Sequence, residues 1–234
     1  MRINKFISET GFCSRREADK WVESGKVTIN GITAVLGSQA EEGDDVRVGG
    51  QPLQAKKKSH VYIALNKPVG ITSTTEQHIK GNIVDFVGHP ERIFPIGRLD
   101  KDSEGLILMT SDGDIVNKIL RSEGKHEKEY IVTVDKPITT SFLTGMAGGV
   151  KILGEMTLPC TITRISERVF KIILTEGKNR QIRRMCSAFG YSVRKLQRIR
   201  IMNIKLGSLQ KGSWRDLTDD EKMELSGLLN YDLQ

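Results

Sequence analysis

The chain reads as an α+β protein of two domains, and three observations predict this. Apolar residues recur at helical spacing in some segments and alternate or run together in others. A helix, helix, hairpin unit occupies residues 1–50, and a stretch with three consecutive lysines and no apolar period separates it from residues 60–234. At 234 residues the chain has room for one large domain or two smaller ones.

Composition narrows the partners. The formal charge of +7 and a pI near 9.3 favour a polyanion. Nucleic acid is expected rather than a membrane, because no apolar stretch approaches the roughly 20 residues that span a bilayer. The start Met1-Arg2-Ile3-Asn4-Lys5 has no secretory apolar core, so a cytoplasmic protein is expected. Cys13, Cys160 and Cys186 are odd in number and widely spaced, which suits reduced, mostly buried thiols rather than disulfides or a paired-cysteine zinc site. His60, His78, His89 and His126 show no ligand spacing, and no metal is expected.

The first helix is predicted from Ile3, Phe6 and Ile7, which share one face. Ser14-Arg15-Arg16-Glu17 announces a second, with the serine as cap and the glutamate bonding back, and Ala18, Trp21 and Val22 as its buried side. Gly25 ends it, Val27-Thr28-Ile29 begins a strand, and Asn30-Gly31 suits the mirror-image hairpin turn. Arg2, Lys5, Arg15, Arg16, Lys20 and Lys26 make this unit a phosphate-binding surface. It resembles the S-four-type RNA-binding domain over residues 1 to 48. Residues 51–59, containing Lys56-Lys57-Lys58, are expected to be a solvated linker.

In the larger domain, Val61 to Leu65 is a buried-type strand and Asn66 to Gly70 a turn. Residues 97–105, Gly97-Arg98-Leu99-Asp100-Lys101-Asp102-Ser103-Glu104-Gly105, set Asp100 between two cations on a glycine-bounded loop, directly before the apolar run Leu106 to Met109. Asp112-Gly113-Asp114 then enters a helix with Ile115, Val116, Ile119 and Leu120 as its apolar positions and Asp114 as its expected cap. Lys128 to Val134 alternates as a strand that puts Tyr130, Val132 and Val134 on one face.

From Lys178 to Arg200 there are eight basic residues and no acidic one. Ile182, Met185, Cys186 and Phe189 would be the buried side of a helix stopped by Gly190, with Arg180, Arg183 and Arg184 on its remaining surface. The helix start offers free backbone N–H groups to phosphate, and an arginine here can hold Asp100 ionised.

Together, Gly97 to Gly113, Lys128-Glu129-Tyr130, and Glu176 to Met185 resemble the signature motifs of pseudouridine synthases of the RsuA/RluF group, in the family's order. Ser111 stands where asparagine is common, outside the reacting groups. The resemblance implies a pseudouridine synthase domain with a bent, mostly antiparallel sheet and a central cleft. It implies Asp100 as nucleophile or base, Tyr130 as the active-site tyrosine and Arg183 as the basic partner of Asp100. Arg98, Lys128, Lys178, Arg180 and Arg184 would join the basic residues of the first unit in binding RNA. Large-subunit ribosomal RNA is the implied substrate, with small-subunit ribosomal RNA or a transfer RNA as alternatives, no cofactor, and a monomeric enzyme. A non-catalytic ribosome-assembly factor explains the charge but not the conjunction of Asp100, Tyr130 and Arg183. A methyltransferase would need a glycine-rich cofactor turn, for which Gly148-Gly149 is too slight.

Overall fold

A computed structural model describes residues 1–53, 60–120 and 126–233, in two compact units, Met1–Ser59 and His60–Leu233. In the first, α1 (Ile3–Glu9) and α2 (Arg15–Glu23) pack on a sheet of β1 (Val27–Ile29), β2 (Ile32–Thr33), β3 (Val46–Val48) and β4 (Gln51–Pro52), in the order β2-β1-β3-β4. The capping box is present: the Glu17 N–H donates to Ser14 Oγ at 3.2 Å and the Ser14 N–H to Glu17 Oε2 at 2.7 Å. Asn30 and Gly31 both hold positive φ, 51° and 82°, between the paired Ile29 and Ile32. Ile3, Ile7, Ala18, Val22, Val27, Val46 and Val48 form the core.

The expected linker is shorter at its start than the composition suggested. Gln51–Pro52 pairs with β3, and Leu53 donates its N–H to Val46 O at 2.8 Å and packs on the same core. Proline is tolerated there because β4 is an edge strand. Residues 54–59 of the predicted linker, with its lysine run, lie outside the described residues.

The second unit runs β5 (Tyr62–Lys67), α3 (Ile83–Val87), β6 (Phe94–Pro95), β7 (Glu104–Thr110), α4 (Gly113–Leu120), β8 (Lys128–Val134), α5 (Thr140–Ala147), β9 (Lys151–Ile152), β10 (Glu155–Met156), β11 (Thr161–Arg164), β12 (Val169–Leu174), α6 (Gln181–Ala188), β13 (Val193–Ile201), β14 (Ile204–Lys205), β15 (Trp214–Asp216) and α7 (Asp219–Leu229). Its main sheet has the order β11-β12-β8-β13-β7-β5-β15, with β14 on β13 and β6 on β7. The pairs are antiparallel except β7 with β13, which run parallel.

Alternation on β5 and β7 divides the core between the two faces. Ile63, Leu65, Ile107 and Met109 join a cluster with residues of α3, α5 and α6, while Tyr62, Ala64, Leu106 and Leu108 join another with α4 and α7. With both faces covered, these strands read as unbroken apolar runs. Two local expectations change. Asp112, not Asp114, caps α4, its Oδ1 accepting the Asp114 N–H at 2.9 Å, because the turn places the earlier carboxylate over the free N–H groups. Phe189 ends α6 at 37 % exposure, laying one edge on Phe142 with ring centroids 5.8 Å apart. Cys13 and Cys186 are buried and Cys160 half-buried, and none of the three is in a disulfide among the described residues.

Candidate active site

The loop that carries Asp100 is held by its neighbours. Leu99 plugs the core, its N–H donates to Ser73 Oγ at 3.1 Å, and that hydroxyl donates to Leu99 O at 2.7 Å. The Gly70 N–H donates to Lys101 O at 2.8 Å, and the Ser103 N–H to Asp100 O at 3.0 Å. None of these bonds uses the Asp100 carboxylate, which is left 32 % exposed to the cleft. A rigid frame therefore presents a reactive group without consuming it.

Which arginine meets Asp100 differs from the expectation. Arg180 Nη1 lies 3.5 Å from Asp100 Oδ2, and the same guanidinium forks onto Asp102 at 3.0 and 2.9 Å. Arg183, expected as the partner, reaches Asp102 Oδ2 at 3.4 Å and donates to Asp102 O at 2.9 Å, Ser103 Oγ at 3.1 Å and Val193 O at 3.3 Å. It is absent from the cleft lining and instead ties the loop to β13. The reason lies in the entry to α6, where Arg180 takes a left-handed φ of 50° and swings its side chain towards the loop ahead of the first helical turn. The Arg180 hydrogen bond holds Asp102 ionised below the usual carboxylate range.

Tyr130 lines the same cleft as Asp100. Register places it in a row across four strands: Lys67 of β5 opposes Gly105 of β7, Gly105 opposes Arg198 of β13, and Arg198 opposes Tyr130 of β8. Opposed residues in a sheet project to the same face, so Lys67, Arg198 and Tyr130 share one face and Arg198 lies next to the tyrosine. Lys67 and Arg198 are 0 % and 4 % exposed. Neither was singled out as a site residue, because their convergence depends on pairing between segments about 90 residues apart in sequence, which no local pattern encodes.

The cleft has a volume of about 510 Å³, lined by Asp100, Tyr130, Lys128, Lys178, Arg180 and Arg198 among others. That suits a small-molecule-sized occupant such as one extruded nucleotide. Arg98 and Gly97 line it too, and Lys178 is bound to Glu155 at 2.6 Å. Arg184 turns away and braces the loop, donating to Asn179 O at 3.0 Å and Asn179 Oδ1 at 3.2 Å. In the first unit Arg2, Arg15, Arg16 and Lys20 are exposed, and Lys5 is half-buried with Glu9 at 3.4 Å. Among the described residues no cluster of three or more histidine, cysteine, aspartate or glutamate side chains could hold a metal.

Burial pushes the Lys67 ammonium down to about 8, with the positive charge of Arg198 adding to the effect. A neutral amine still has two N–H groups, enough for its bonds to Pro68 O at 3.0 Å and Ile71 O at 2.8 Å. Because the folded value lies below the unfolded 10.5, the unfolded chain binds more protons between pH 8 and 10.5, and folding stability rises with pH in that window. Relative to Lys67→Met, which lacks this titration, the wild-type chain is expected to gain on the order of 1–3 kcal/mol across the window. Urea denaturation of both at each pH measures it, and parallel stability curves would contradict the burial argument.

The chain matches the RNA pseudouridylate synthase family over residues 61–188 and the S4 domain over residues 1–46. It is 57% identical over 230 residues to the dual-specificity RNA pseudouridine synthase RluF of Escherichia coli (strain K12), covering 98% of this chain and 79% of that one. It is 33% identical over 240 residues to the ribosomal large subunit pseudouridine synthase B of Bacillus subtilis (strain 168), covering 98% and 97%. A solved structure described as a pseudouridylate synthase superposes with a TM-score of 0.71 at 29% identity, over 97% of this chain and 99% of the other. With the aspartate and the tyrosine in one cation-lined cleft, and an S4 domain ahead of it, the chain belongs to the RsuA-type family of RNA pseudouridine synthases.

Proposed function

We propose that this RNA pseudouridine synthase isomerises a uridine in large-subunit ribosomal RNA. The observation that carries the choice of target is the nearly full-length likeness, on both chains, to a relative whose name specifies the large ribosomal subunit. A second RNA class is favoured by one further observation, the dual specificity in the name of the relatives 57% identical to this chain. A transfer RNA is the natural candidate.

The chemistry asks for a cleft that admits a base out of its stack, at a cost of a few kcal/mol, offset by contacts to the basic lining. The aromatic face of Tyr130 stacks the extruded uracil, and Asp100 acts on the sugar as nucleophile or as base. Arg180, 3.5 Å away, orients the Asp100 carboxylate. The exposed cations of the first unit hold phosphates and fix the register of the RNA.

The test uses large-subunit rRNA, small-subunit rRNA and bulk tRNA, each tritiated at uracil C5, incubated with the full chain and no added cofactor. Tritium release from the large-subunit RNA is expected, and release from tRNA as well would mark the second class. Release confined to the small-subunit RNA would overturn the target.

A further inference from the structure

Arg198 is a buried cation without a matching anion. Its Nε donates to Leu106 O at 2.6 Å and its Nη1 to Arg98 O at 3.4 Å, while Nη2 is buried with no hydrogen-bond partner. Among the described residues no carboxylate lies within ion-pair distance of it. It stands in the wall of the cleft with its guanidinium carbon 6.0 Å from the centre of the Tyr130 ring. Lys128, a further lining cation, has its Nζ on His126 O at 3.3 Å and on no other group among the described residues. Arg198 and burial together lower the ammonium pKa of both Lys67 and Lys128, as expected when like charges share a poorly solvated space.

Keeping a guanidinium buried and unpaired is costly, by several kcal/mol in an apolar medium, unless something arrives to match it. Among the described residues of the resting enzyme nothing does. In the reaction something must: the C1′–N1 bond breaks with both electrons remaining on N1, so uracil becomes an anion whose charge spreads over N1, O2 and O4. Asp100 balances the sugar, either by bonding to C1′ or by taking the C2′ proton. When C5 of the turned base bonds to C1′, the charge returns to the Asp100 carboxylate, and the C5 proton is then exchanged for one on N1.

We propose that Arg198, with Lys128, is the countercharge for the departing uracil, an electrostatic site for an anionic pyrimidine set against the face of Tyr130. The inference rests on the isomerisation assigned above and concerns how its first bond is broken. A neutral base in the ground state gains little from these cations and the anion gains much, so they favour bond cleavage rather than binding. A phosphate is the poorer match, because the exposed cations of the rim meet it before it reaches a sealed guanidinium.

The test compares RNA carrying uridine or 5-fluorouridine at the target, following the disappearance of the N-glycoside in single-turnover reactions with the full chain. Fluorine at C5 withdraws electrons and makes the base a better leaving group that needs less help. Arg198→Met is expected to slow loss of uridine by about 10²-fold, the scale of losing one preorganised donor, with RNA affinity unchanged. The loss with 5-fluorouridine is expected to be about tenfold smaller, and Arg198→Lys, which keeps the charge, to recover most of the rate. Lys128→Met, whose side chain holds little structure, is expected to show the same substrate dependence to a smaller degree, and it carries the test if Arg198→Met melts early. Equal losses on both RNAs, or a Lys variant no better than the Met variant, would reduce Arg198 to a structural tie. A wild-type chain that consumes neither RNA would instead remove the substrate assignment.

Discussion

Asp100→Asn is expected to fold, to bind RNA as the wild type does, and to release no measurable tritium from RNA labelled at uracil C5. The structure separates these outcomes because nothing in the frame of the loop depends on the carboxylate. Leu99, Ser73, Gly70 and Ser103 fix the backbone, and Arg180 keeps its two bonds to Asp102 when Asp100 loses its charge. A partly exposed side chain without such duties changes stability by about 0.5 kcal/mol or less when replaced by its near isostere. The other carboxylate lining the cleft, Glu176, is engaged through Oε1 by the Leu158 N–H at 2.9 Å and Gln181 Nε2 at 2.6 Å, and an amide at position 100 neither bonds to C1′ as a leaving carboxylate nor accepts a sugar proton at neutral pH. A loss of about 10⁴-fold or more in single-turnover rate is therefore expected, the scale on which removing a covalent or general-base group acts. Tritium release within tenfold of wild type would remove Asp100 from the chemistry, whichever of the two routes is followed.

The residues that declared themselves in the sequence did so through local rules. Ser14 and Glu17 specify a helix start within four residues, Asn30-Gly31 specifies a hairpin turn within two, and both are found as read. Asp100 stood out because two glycines and two neighbouring cations frame it on a loop before a buried strand. What the pattern could not supply was long-range geometry. Arg180 and Arg183 are one helical turn apart, and only the left-handed backbone at Arg180 decides which of them meets Asp100 and which stitches the loop to β13. Lys67 read as a turn residue and Arg198 as one of eight scattered cations until the row through Gly105 put both on one face of the sheet, Arg198 next to Tyr130. Strand pairing is chosen by the packing of two complete faces, so its consequences for charge are invisible to any window of sequence.

That row also makes Gly105 the position at which the smallest side chain should do the most damage to the fold. Gly105 has φ +103°, a conformation L-residues rarely adopt, and it lies in the parallel pairing of β7 with β13. A Cβ there would fall on the Arg198 carbonyl oxygen and lie 2.8 Å from the Arg198 nitrogen, both of them backbone and so unable to rotate away. Gly105→Ala therefore combines steric separation of two central strands with backbone strain, together about 2–5 kcal/mol, and is expected to lower the melting temperature by about 10 °C. Gly154→Ala isolates the second contribution: its φ is +84° and a Cβ there meets nothing within 4 Å, so a cost of only about 1 kcal/mol is expected. The larger loss at Gly105 should also reach the chemistry, because parting β7 from β13 moves the Asp100 loop, which runs into β7, away from Arg198 on β13. Residual rate should fall even at temperatures where the variant remains folded by circular dichroism. If Gly105→Ala melts within about 2 °C of wild type, or no lower than Gly154→Ala, then the two strands are not in the close register on which the cleft is built.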